Sequence, residues 1–151
     1  MNLCGECNVC CVVPRIDKSE IFWKDGDKEA GKWCEKLTKG GCSVYKKRPP
    51  SCIKYECLYL QLSKKIENFS VAFRPDNIKM MVSTFNDPDI DKFVFTIKEL
   101  EEGSISFDNA NIFLGIIFEL SKRQATDGLV TIQPFGKDKR YELKQNISED
   151  K

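Results

Sequence analysis

Eight cysteines carry the chemistry open to this sequence, and all of them lie between Cys4 and Cys57. Their order is Cys4-x2-Cys7-x2-Cys10-Cys11, followed by Cys34, Cys42, Cys52 and Cys57. A C-x2-C step turns two thiolates back onto one ion, because two intervening residues make a tight loop. Two such steps in series place three thiolates around a common centre. Soft sulfur donors suit zinc or iron and disfavour calcium and magnesium. Tetrahedral zinc takes four thiolates. The same serial step runs through bacterial ferredoxins, although their fourth cysteine and following proline are absent here. Adjacent side chains point apart, so Cys10 and Cys11 either feed two neighbouring sites or leave one sulfur spare. We therefore expect Zn2+ or a [4Fe-4S] cluster in one or two sites, with the partition of ligands left open by the spacing.

Other chemistries fare worse. The 151-residue chain contains no histidine, which removes every mechanism that uses His as base, nucleophile or ligand. Disulfides need an oxidising compartment. Met1-Asn2-Leu3-Cys4 shows neither the basic nor the apolar region of a signal peptide, so a reducing, cytoplasmic setting is expected. The longest apolar stretch, Ile112 to Phe118 with Gly115 inside it, is too short to span a bilayer, and no membrane association is expected. The carboxylates near the cysteines (Glu6, Asp17, Glu35 and Glu56) read as solvated side chains, so no catalytic residue is assigned and a non-enzymatic role is favoured.

Charge is distributed to suit a thiolate site. Residues 1–57 hold 11 Lys+Arg against 8 Asp+Glu, a net of +3, whereas the remainder holds 13 against 15, a net of −2. A dication on four thiolates carries a net charge of −2. Lys36, Lys39, Lys46, Lys47, Arg48 and Lys54 would partly offset it as donors or nearby charge, unless they form an ordinary solvated face. The formal charge of the whole chain, +1, excludes a chain-wide basic surface for non-specific nucleic-acid binding.

The cysteine segment resembles a known family. The run Cys4-Gly5-Glu6-Cys7-Asn8-Val9-Cys10-Cys11 resembles the opening motif of the CxxCxxCC family, described as zinc- or iron-chelating proteins. Gly41-Cys42-Ser43-Val44-Tyr45-Lys46-Lys47-Arg48-Pro49-Pro50-Ser51-Cys52, with Tyr55-Glu56-Cys57 after it, resembles that family's second motif, G-C-x-[IV]-Y-x-x-R-P-x-x-C-x-x-[FY]-x-C. Trp33-Cys34 stands where the family has its intervening cysteine, and the likeness covers residues 4–60. Beyond it the chain is similar only loosely, through Leu58-Tyr59-Leu60 and Arg74-Pro75, to the short members. The resemblance implies metal chelation by the eight cysteines. It is also similar, distantly, to the cysteine-rich segment of flagellin lysine N-methylase, which is associated with an iron–sulfur cluster. The methylase activity does not carry over, because this chain is short and has no glycine-rich βα nucleotide fingerprint. Within the motif, Tyr45 and Arg48 are expected behind the ligands, with the guanidinium donating to carbonyls or sulfurs.

These residues must be positioned by local structure. Residues 1–15 read as loops around metal, and 16–33, charged and broken by Gly26 and Gly31, as a surface excursion. Gly40-Gly41 signals a turn before Cys42. Tyr55, Leu58, Tyr59, Leu62 and Ile66 recur with helical period, predicting a helix over 52–67 with Cys52 in its first turn, where the backbone dipole favours thiolate. The competing reading starts the helix after Cys57. Ile78–Thr84 and Lys92–Ile97 predict two strands around the turn Asn86-Asp87-Pro88-Asp89. Asp108 can cap a helix to Lys122 that turns Ile112, Phe113, Ile116, Ile117 and Leu120 to a sheet. Gly128–Gln133 and Lys139–Leu143 predict two further strands about Pro134-Phe135-Gly136. The expected fold is α+β: a cysteine-rich metal-organised lobe over 1–68 packed on a small mixed α+β lobe over 69–143, with a polar tail over 144–151.

The leading functional expectation is a metal-binding module with a structural or interaction role, the C-terminal lobe offering its surface to a protein partner. An iron–sulfur protein in redox sensing or electron transfer is the alternative. A zinc-ribbon-like accessory protein of nucleic acid or a large complex is the third. For the last, Lys36 to Lys54 with Tyr45 and Tyr55 offers charge and stacking, while the near-neutral total stands against it.

Overall fold

The computed structural model describes residues 7–39, 41–125 and 127–145. The fold is α+β. Two compact units divide between Glu56 and Cys57, earlier in the chain than the boundary expected at residue 68.

The first unit has little regular structure. A single 3-10 turn spans Val9–Cys11, and a second spans Lys18–Glu20, its start capped by the Asp17 side chain accepting from Ser19 N. Two-residue strands β1 (Leu37–Thr38) and β2 (Gly41–Cys42) form the hairpin that the glycine pair signalled, with Leu37 opposite Cys42. Helix α1 runs only over Pro50–Lys54 and begins on a proline, whose missing N–H is one the first turn does not need. Buried apolar side chains are sparse: Ile16 is 4% exposed and Ile21 7%. Both lie in the 16–33 segment expected to be a surface excursion. That segment instead pairs back on the chain before it, Ile16 and Lys28 exchanging N–H···O bonds of 2.9 Å in both directions.

The second unit is built on apolar packing. Helix α2 covers Leu58–Lys65 and a short helix α3 Pro75–Ile78, after which Lys79 takes the left-handed conformation and starts the sheet. Strands β3 (Met80–Asp87) and β4 (Lys92–Glu99) form an antiparallel hairpin with Val82 opposite Ile97. Helix α4 (Asp108–Lys122) crosses over to β5 (Leu129–Gln133), which pairs parallel to β4, and β6 (Tyr141–Glu142) closes the order β3-β4-β5-β6. Alternation puts Met80, Val82, Phe95, Ile97 and Val130 on one face of this sheet. There they join Leu58, Leu62, Phe113 and Ile117 in a single core.

Three expectations need correction. The helix expected over 52–67 is two helices, interrupted at Tyr55 and Cys57, whose ψ angles of 125° and 161° are extended. Asp108 is the first helical residue rather than the cap, since Phe107 holds the cap position and makes no side-chain bond there. Ile112 is 55% exposed; Ala110, Phe113, Ile117 and Ser121 form the inward stripe instead.

Candidate metal centre

The cysteines of the first unit reach one another from four separate segments. Cys10 and Cys11 sit on the Val9–Cys11 turn, which is closed by Cys11 N donating to Asn8 O (2.9 Å) and Val12 N to Val9 O (3.0 Å). Cys34 is tied to that turn by its own N–H, which donates to Cys11 O (3.0 Å). Leu37 N donates to Cys34 O (3.1 Å), which leads the chain from Cys34 into β1, and the hairpin then returns Cys42 opposite Leu37. Cys52 lies on α1, whose start is held by Glu20: its carboxylate accepts from Ser51 N (2.8 Å) and Ser51 Oγ (2.5 Å).

The sulfurs sense each other's charge. The Cys10 thiol donates a hydrogen bond to the Cys11 sulfur, which raises Cys10 far above an ordinary thiol and lowers Cys11 below one. Burial and the charges of Cys34, Cys42 and Cys52 oppose that lowering. Burial pushes the Cys52 thiol up, and Cys10, Cys34 and Cys42 push it further. The expected dipole preference for thiolate at Cys52 is therefore outweighed by desolvation and by like charge, as the physics of a crowded thiolate set requires.

Arg48 stands where the sequence placed it. Its Nε donates to Tyr45 O (2.9 Å), and its Nη1 makes a long bond to Cys52 O (3.5 Å). The guanidinium lies 4.0 Å from the centroid of the Tyr45 ring. Its positive charge favours the thiolate forms of Cys10 and Cys52. Its donors go to carbonyls, one of the two acceptor classes expected for it. Tyr45 contributes its ring and carbonyl to this arrangement. Trp33, beside Cys34, is 63% exposed.

Not every sequence-predicted cysteine joins this group. Cys7 is half-buried in the same unit. Cys57 belongs to the second unit, where it occupies the N-cap of α2. Cys4 lies outside the described residues. Among the described residues, no three Cys, Asp or Glu side chains converge as a ready ligand set. The donor chemistry fits a soft metal, and the sulfurs are gathered but not closed on a point.

Two supports were not foreseen. Glu20 reads in the sequence as one acidic residue among many, with nothing to mark its grip on Ser51. Lys28 was counted with the solvated charges and is 2% exposed; its ammonium donates to the carbonyls of Val12, Pro14 and Glu29. A lysine one residue beyond Asp27, whose carboxylate accepts from Lys18 N and Arg15, is the only local signal, and it is faint. The expected solvated roles of Asp17 and Glu35 hold in form: Asp17 caps a turn and Glu35 pairs with Lys24 (2.9 Å).

Comparison with known proteins yields no match: no family model, no curated protein and no solved structure matches the chain. Among the described residues, no helix is long and apolar enough to cross a membrane.

Proposed function

We propose that the first unit is a thiolate metal-binding module, taking zinc or an iron–sulfur cluster, with a structural or interaction role. The observation that carries this reading is the gathering of Cys10, Cys11, Cys34, Cys42 and Cys52 from four segments into one electrostatic neighbourhood. Packing alone gives no reason to bring them together, since like-charged sulfurs raise one another's cost of ionisation. A bound cation reverses the sign of that interaction and deprotonates coordinating thiols outright. Cys11, Cys34, Cys42 and Cys52 are the ligands this arrangement favours, with Cys10 as the hydrogen-bonding neighbour. Cys4, Cys7 and Cys57 supply the remaining sulfurs of the eight-cysteine set. Arg48, on Tyr45, steadies the α1 end of the site.

The test is metal and acid-labile sulfide content with an absorption spectrum, all on one anaerobic preparation. One or two zincs without sulfide give a structural module, and the second unit then becomes the surface on which to look for a protein partner. About four irons and four sulfides give a redox or sensing protein instead. Substoichiometric metal of every kind, in protein whose thiols are shown to be reduced, refutes the reading.

A further inference from the structure

Lys28 holds a buried positive charge that the first unit's apolar packing does not explain. The residue is 2% exposed. Its three ammonium protons are all used, on Pro14 O (2.7 Å), Val12 O (2.9 Å) and Glu29 O (3.2 Å). Those acceptors are neutral, so the ammonium is hydrogen-bonded without being charge-neutralised. Among the described residues no carboxylate lies in ion-pair distance of it; the pairs in this unit join Arg15 to Asp17 and Asp27, Lys24 to Glu35, and Lys32 to Glu29. A charge taken out of water without a counter-charge is costly, and proteins retain one where an opposite charge lies close by.

The backbone shows where that opposite charge is. Val12, which accepts from Lys28, follows Cys11 directly, and Cys11 O accepts from Cys34 N (3.0 Å). The paired strips Val13–Ile16 and Lys28–Gly31 hold the lysine against this turn through Ile16–Lys28 and through Gly31 N to Val13 O (3.1 Å). The anions whose field reaches the ammonium are the sulfurs of Cys34, Cys11 and Cys52.

We propose that Lys28 is the built-in counter-ion of the cysteine cluster, its caged ammonium balancing negative charge on Cys11, Cys34 and Cys52 and so favouring an anionic, thiolate-rich site. The part of this concerning a loaded site rests on the metal-binding reading; the part concerning thiolate charge does not. Four thiolates around a dication leave a net charge of −2, the state a fixed neighbouring cation supports. As a positioning residue, Lys28 also anchors the loop that follows Cys11, so its charge must be separated from its hydrogen bonds by experiment.

Lys28→Gln keeps N–H donors for the carbonyl cage and removes the charge. Lys28→Arg keeps the charge. Lys32→Met, which removes an exposed lysine paired with Glu29, is the control. Each full-length protein, reduced and anaerobic as purified, is pulse-alkylated in parallel with iodoacetate and iodoacetamide. Peptide mass spectrometry then gives the anionic-to-neutral reagent ratio at each cysteine. A fixed positive charge raises this ratio, and a purely structural side chain does not move it. The expected result is a drop of about tenfold at Cys11, Cys34 and Cys52 in Lys28→Gln, on the order a single nearby charge gives. Lys28→Arg and Lys32→Met should both keep the wild-type ratio. An unchanged ratio in folded Lys28→Gln overturns the proposal. If Lys28→Gln does not fold, a folded Lys28→Arg with the wild-type ratio sustains it, and failure of both variants to fold overturns it in favour of a packing role. The metal content of the same wild-type preparation reports separately, so loss of the metal-binding reading is distinguishable from loss of the counter-ion.

Discussion

Removing the metal should unfold one unit and spare the other. In the first unit the fully buried aliphatic side chains are Ile16 and Ile21. At about 1.5–3 kcal/mol for each such side chain, their burial supplies about 3–6 kcal/mol. A structural zinc supplies about 10–16 kcal/mol at neutral pH. The metal therefore exceeds the apolar contribution by about a factor of two or more, and it alone can organise segments this short. The second unit has a continuous core of Leu58, Leu62, Ile78, Met80, Val82, Phe95, Ile97, Phe113, Ile117 and Val130 and needs no such help. The assay is amide hydrogen exchange before and after complete chelation under reducing conditions. The reporters in the first unit are the N–H groups of Ile16, Lys28, Gly31, Cys34 and Ser43, each of which donates to a backbone carbonyl. In the second unit they are the amides of the β3–β4 ladder. Chelation should bring the first set to near-unprotected rates, a loss of at least about a hundredfold, and change the second by less than about threefold. Full protection of Ile16, Lys28 and Cys34 in demonstrably metal-free protein would refute the reasoning, because it would place the stability of this unit in the chain itself.

Three further outcomes are expected. Arg48→Ala removes the donors to Tyr45 O and Cys52 O and the stack on Tyr45, and should weaken zinc on the order of tenfold in competition with a chelating dye; unchanged affinity would remove Arg48 from the site. Asp27 is held below the usual carboxylate range by the Lys18 N–H and by Arg15, so its stabilisation is complete above that range and disappears as pH falls through its lowered folded-state value. The urea midpoint of Asp27→Asn should accordingly lie below wild type at neutral pH and converge with it in acid. Gly128→Ala would set a Cβ 3.2 Å from Ser121 Cα, Cβ and O, at a point where Gly128 N already donates to Ser121 O (2.8 Å). It should cost the second unit about 1–3 kcal/mol, seen as a lower Tm.

The elements most legible in the sequence are those whose periodicity and boundaries agree. Strands β3 and β4 are bounded by the Asn86-Asp87-Pro88-Asp89 turn and read as alternating apolar runs, and both extend two or three residues further than expected because the hairpin continues to Asp87 and Lys92. Helix α4 was legible to its last residue. Its inward stripe was misjudged by one position, because Ile112 precedes Phe113 by 100° of helical rotation and falls at the solvent edge. The broken helix has a different cause. Tyr55, Leu58, Tyr59 and Leu62 keep helical spacing across the break, and Leu58, Tyr59 and Leu62 are buried, yet apolar spacing reports which positions are covered and not whether the backbone ladder is continuous. Extended residues at Tyr55 and Cys57 interrupt that ladder while leaving the pattern intact.

At the candidate site the limits of the sequence are those of charge. Cysteine spacing pointed to Cys10, Cys11, Cys34, Cys42 and Cys52 because the number of residues between thiols limits how they can approach one another. It could not rank them, since Cys52 and Cys57 have equal standing in the motif and fall in different units. Glu20 and Lys28 were invisible for a related reason. A charged residue is read as solvated unless something local says otherwise, and the partners of these two, Ser51 and the Val12–Pro14 carbonyls, lie 31 and up to 16 residues away. The first unit is thus organised by polar atoms where the second is organised by hydrocarbon. Glu20 holds α1, Asp27 holds the Arg15–Lys18 strip, Lys28 holds the turn after Cys11, and Arg48 joins Tyr45 to Cys52. Directional contacts of this kind fix sulfur positions more tightly than two isoleucines can, and they leave the unit's stability dependent on what the sulfurs bind. That dependence is what a sensing or metal-gated interaction module requires, and what a purely mechanical spacer would have no reason to keep.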